Sequence, residues 1–101
     1  MISKELSTAL GFAVREAKKR RHEYVCVEHV LYAILNYEIG VDTIVQCGGN
    51  PEQLKLELEI FFNEKMSQIN SDNEYVLQQT IGFQRIIQRA INQAKFANKN
   101  E

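Results

Sequence analysis

The chain has 101 residues, 45% hydrophobic and 25% charged, with a net charge of -1 and a pI near 6.1; that is the make-up of one ordinary globular domain, with no global pull toward nucleic acid or anionic lipid. No run approaches the roughly 18 apolar residues of a membrane span, and Met1 to Leu6 lacks the charged-then-apolar layout of a signal peptide, so a cytoplasmic chain is expected. Cys26 and Cys47 have no Cys-x-x-Cys spacing and read as reduced thiols rather than a disulfide.

Ser3 can cap a first helix whose apolar positions are Leu6, Ala9, Leu10, Ala13, Val14 and Ala17, and Lys18 to Arg21 complement the negative end of its dipole. Val27, Val30, Leu31, Ile34 and Leu35 predict a second helix starting at Cys26 or Val27 and ending near Asn36 or Tyr37, with cysteine a poor cap. Arg20 to Leu35 therefore joins two helices through a charged turn, and such a turn makes a recognition surface. Ile39 to Cys47 reads as a short third helix stopped by Gly48-Gly49. Asn50-Pro51-Glu52-Gln53 then opens a fourth, with stripe Leu54, Leu58, Phe61 and Phe62. Ser67 to Gln79, centred on Asn70-Ser71-Asp72-Asn73, is polar and reads as an exposed connection in which Tyr75 to Leu77 lie extended. Thr80 caps a fifth helix with apolar positions Phe83, Ile86, Ile87, Ala90, Ile91 and Ala94. Those six are the first helix's apolar positions moved forward by 77 residues, a candidate internal repeat.

Arg21-His22-Glu23-Tyr24-Val25-Cys26-Val27-Glu28-His29-Val30-Leu31 resembles the Arg-His-Glu-aromatic-x-Thr-Val-Glu-His-Leu-Leu signature of the N-terminal domain of Clp-type AAA+ unfoldases, and Thr80 to Ala90 is similar to the start of its second repeat. Both segments lie closest to the ClpA branch. The resemblance implies an all-α fold of two four-helix units in pseudo-twofold relation. Here it would comprise a first repeat over 1–66, a connecting loop over 67–79 and an incomplete second repeat over 80–101, about five helices in one domain. Cys26 stands where the family has Thr, and the chain stops before the remaining helices of the second repeat. Phe83, Ile86, Ile87 and Ile91 are then expected to have fewer partners than the family supplies, so that self-association, helix exchange between chains or a different docking on the first repeat covers them.

In function the resemblance implies a binding module of an ATP-dependent unfoldase that feeds the ClpP peptidase. It would receive unfolded or tagged substrates and dock a ClpS-type adaptor for N-degron proteins. The contact residues that carry over are Glu23, Glu28, Thr80 and Arg85. No Gly-x-x-x-x-Gly-Lys-Ser/Thr loop is present, so no ATP cofactor is expected on this chain; ATP belongs to the AAA+ modules of the parent hexamer.

Four other readings are weighed against this one. His22, Glu23, Glu28 and His29 fall within eight residues, but their spacing is not the His-Glu-x-x-His of metalloproteases. No metal is expected, and His22 and His29 are the residues that would ligate one. Lys18-Lys19-Arg20-Arg21 beside a helix–turn–helix-like connection suggests nucleic acid, but Glu23 and Glu28 would repel phosphates. A binding module of a different Clp-type unfoldase is the remaining alternative. No nucleophile, base and orienting group can be placed together, so no enzyme is expected.

Overall fold

Ala9, Ala13 and Ala17 recur every four residues along α1 (Lys4–Lys19), and all three are buried. Side chains this small let a second helix approach closely, and α2 (Val27–Ile34) packs there through Val30 and Ala33. The computed structural model of the chain describes residues 4–69 and 74–99. Ser3, the expected first cap, and the expected loop centre at residues 70–73 lie outside them, as does the side chain of Ala94.

The close of α1 is unusual. His22 N donates to Ala17 O and Arg21 N to Lys18 O, both at 3.0 Å, while Arg21 takes the left-handed conformation (φ 56°) that glycine ordinarily supplies. The chain then runs through β1 (Tyr24–Val25) into α2, with Cys26 in the extended N-cap conformation. The helix stops at Ile34, short of the expected Asn36. Tyr37 already caps α3 (Glu38–Gln46) in an extended conformation, and Gly40 backs onto the Ile34 carbonyl so closely that any side chain there would overlap it.

Gly48 (φ 86°) closes α3 in the left-handed conformation, its N–H on Val45 O and that of Gly49 on Ile44 O. The predicted start of the next helix is met by α4 (Pro51–Glu64): Asn50 Oδ1 accepts from Gln53 N at 3.1 Å, and Pro51 takes the first helical position. On the inner face of α4 Leu58 and Phe62 are buried.

Beyond α4 the structure departs from expectation. Residues 67–69 and 74–79 form a strap bonded to the α1–α2 turn. Glu23 N donates to Ser67 O (3.4 Å) and Ile69 N to Arg21 O (2.7 Å), and Tyr75 Oη donates to His22 O (2.8 Å). β2 (Gln78–Gln79) pairs with β1 in parallel, Tyr24 opposite Gln78 and Val25 opposite Gln79. Ile69, Tyr75 and Leu77 are half-buried rather than exposed. A backbone that borrows donors and acceptors from a turn 50 residues away needs no apolar pattern of its own.

Thr80 Oγ1 accepts from Phe83 N at 3.2 Å and so caps α5 (Ile81–Lys99), as predicted. Phe83 is 1% exposed, inside the cluster formed by Leu10, Ala13, Val25 and Val30, with Ile86 and Ile87 packed around it. Of the routes expected to cover this face, the structure takes docking on the first repeat: α5 folds back onto the α1–α2 pair within one chain. The described architecture is five helices, all-α but for one two-residue parallel ladder. None of its helices is long and apolar enough to cross a membrane.

Candidate functional site

The turn between α1 and α2 is held by its histidines, which point inward. His22 and His29 are both 0% exposed. Cys26 N lies 3.0 Å from His29 Nδ1, His29 Nε2 lies 2.9 Å from His22 Nδ1, and His22 Nε2 lies 3.2 Å from the carbonyl oxygen of Phe62. Only one arrangement of protons satisfies all three contacts. An amide N–H can only donate, so His29 accepts at Nδ1 and carries its proton on Nε2; His22 then accepts at Nδ1 and donates from Nε2 to the carbonyl. Both rings are neutral. Burial depresses the pKa of each, for His29 to about 4 with His22 and Arg20 adding to the effect.

The Phe62 ring stacks on His29 (4.7 Å between centroids, 9° between planes) and meets Tyr32 edge-on. Arg20 lies 5.0 Å from the Phe62 ring centre while its Nε bonds Glu16 at 2.9 Å. Arg21 donates from Nε to Ile69 O (2.9 Å) and sits over the Tyr75 ring. Half of the basic run is thus spent on contacts within the fold, while Lys18 and Lys19 stay exposed. All four ring nitrogens of the two histidines have partners, so neither could hold a metal without breaking the chain; among the described residues no group of three or more His, Cys, Asp or Glu is arranged to hold one.

With the histidines inside, the carboxylates face out. Glu23, Glu28 and Thr80 line one open groove of about 320 Å³ between the turn, the end of α4 and the start of α5. Tyr24, Phe61 and Met66 give it apolar walls, and Lys65 brings one cation. The Thr80 backbone is fixed by its N–H on Val25 O (3.1 Å), and the cap bond leaves its hydroxyl proton unused. Arg85, the fourth expected contact residue, is exposed on α5 and does not line the groove. Beside the groove Val27 (42% exposed) and Ile81 (68%) form an apolar shoulder. Gly82 makes it: a Cβ there would lie 2.9 Å from Val27 Cγ2.

Tyr24, Phe61, Lys65 and Met66 were not singled out from the sequence. One signal was available. Phe61 and Phe62 are adjacent, so about 100° of helix rotation separates them and both cannot face the same core. Phe62 takes the core and Phe61, half-buried, the groove wall. The thiol of Cys26 lies at the groove floor, pushed up to about 11 by burial and by Glu28, and is a neutral, buried group.

Comparison with known proteins places the chain in a family. The chain matches the Clp repeat (R) N-terminal domain over residues 1–101. It is also 30% identical over 100 residues to a ClpA homolog protein of Fuscovulum blasticum, a match that covers 98% of this chain and 13% of that protein. The chain therefore spans about an eighth of that relative's length. Matched end to end by one domain family, this helical chain belongs to the Clp repeat N-terminal domains.

Proposed function

We propose that the Glu23–Glu28–Thr80 groove is the docking face of this domain for a ClpS-type adaptor, and that in a parent unfoldase it hands adaptor-borne or tagged substrates toward a ClpP-type peptidase. The observation that supports the reading is the convergence of three carried-over residues, from two segments more than 50 positions apart, on one groove. The chemistry suits a protein partner. Carboxylates at a rim give charge-assisted bonds and steer encounter, while aromatic and Met walls supply apolar area. Lys65 breaks the acidic field, so a partner with lysine or arginine opposite the two glutamates and an acceptor opposite Lys65 or Thr80 fits best. On this reading Arg85 makes a rim contact outside the groove. The division into a first repeat (1–66), a connection and the start of a second (80–101) is part of the same proposal.

Calorimetric titration of the chain with a purified ClpS-type adaptor tests it. Saturable binding is expected. Glu28→Arg should weaken it by at least about 2 kcal/mol, since the reversal sets like charges against each other across the interface, which costs several kcal/mol. Arg85→Glu should act less strongly and mainly through the on-rate. Unchanged affinity in Glu28→Arg with unchanged helicity would refute the groove as the docking face.

A further inference from the structure

Each ring of the His22–His29 pair has one unprotonated nitrogen, and both lone pairs are already taken: Cys26 N–H occupies His29 Nδ1, and His29 Nε2–H occupies His22 Nδ1. An added proton on either ring would set a donor against a donor at 3.0 or 2.9 Å, in a place with no exposure to water and with only the weakly accepting Cys26 sulfur, 3.3 Å from His29 Nδ1, beside it. We propose that the pair is a protonation-controlled latch on the recognition turn: neutral, it ties Cys26 at the start of α2 to the Phe62 carbonyl near the end of α4; protonated once, it releases the Tyr24–Glu28 segment from α4.

Burial and Arg20 favour the neutral state and outweigh the Phe62 carbonyl of α4 and Glu16 of α1, which favour a charged His22. From α1, the Arg20 guanidinium over Phe62 opposes a second cation, and Glu16, which would favour one, is already paired with Arg20. From α2, Cys26 stays a neutral thiol beside Glu28, and Tyr32 donates to Glu59 of α4 (3.3 Å). From the strap, Tyr75 Oη binds the backbone of His22 rather than its ring. The closed state thus holds His29 well below its ordinary 6.5, at about 4, and binds fewer protons than any open state. The latch is complete above the ordinary value and weakens as pH falls from 6.5 toward 4. The latch is a property of this chain alone. Its consequence, loss of docking on acidification because Glu23, Tyr24 and Glu28 ride on the released segment, rests on the function proposed above.

The test needs no partner. Long-range ¹H–¹⁵N correlation on the labelled chain near neutral pH should show both rings neutral with the proton on Nε2. On lowering the pH to about 5, exchange of the Cys26 amide, corrected for its intrinsic pH dependence, should speed up by about tenfold or more relative to the Ala13 and Leu58 amides. In His29→Gln, whose side-chain oxygen still accepts from Cys26 but does not titrate, that acceleration should vanish. A proton on Nδ1 of either ring overturns the proposal. So does a Cys26 amide indifferent to ring protonation, simultaneous loss of protection at Cys26, Ala13 and Leu58, or an acceleration that persists in His29→Gln.

Discussion

Cys26 sits at the N-cap of α2, 8% exposed, with its sulfur 3.3 Å from His29 Nδ1. Sulfur is a weak acceptor, so the free N–H groups of the first turn gain less there than from a hydroxyl. Cys26→Thr should stabilise the domain by ~1 kcal/mol, roughly 4–8 °C in melting temperature for a domain of this size. An unchanged or lower melting temperature would show that the thiol's packing against His29 outweighs the cap. Arg20 and Arg21 carry the converse lesson. From the sequence they belong to a solvated basic run, and in the fold each has a carbonyl or carboxylate partner and lies over an aromatic ring. Their role was illegible because their partners, Phe62, Ile69 and Tyr75, lie some 40 to 55 positions away, and because Arg21 adopts a left-handed backbone that nothing in an arginine announces.

Elements with local signals were legible and elements built from distant backbone were not. Asn50-Pro51, Gly48 and Thr80 each set a helix boundary through bonds to residues within five positions, and each was read in place. The β1–β2 ladder joins Tyr24–Val25 to Gln78–Gln79, two residues apiece, one of them wholly polar; no period of two can be seen in so short a strand. The strap it belongs to depends on individual bonds. Tyr75→Phe removes the hydroxyl that donates to His22 O at 2.8 Å. It should cost about 1 kcal/mol in urea unfolding and raise the rate of proteolytic nicking around Ile69 to Leu77. Equal stability and equal nicking would mean that backbone pairing alone holds the strap. The same logic explains the groove. Glu23 and Glu28 were legible through a family resemblance, whereas Phe61, Lys65 and Met66 join them because the strap and Phe62 fix where α4 ends relative to the turn.

For the whole molecule, two buried clusters share one turn. On one side the alanine stripe of α1, Val30 and Ala33 of α2 and Phe83 of α5 make the larger core. On the other, Phe62 and Leu58 of α4 pack where the two histidines enter. The turn lies between them with its polar chain facing in and its carboxylates facing out. A rigid turn suits recognition, since a partner then orders little on binding. The repeat relation between α1 and α5 shows the limit of pattern reading. Their apolar offsets coincide, but α1 brings alanines to the shared core for close approach and α5 brings Phe83, with Ile86 and Ile87 beside it, so the same offsets do different packing work. The most direct measurement is amide chemical-shift mapping of the ¹⁵N-labelled chain on addition of unlabelled ClpS-type adaptor. The largest changes should fall on Glu23, Tyr24, Cys26, Glu28, Met66, Ser67 and Thr80, around one groove; changes centred instead on the apolar hollow at Ile44, Asn50 and Leu54, or none in a folded chain, would contradict it.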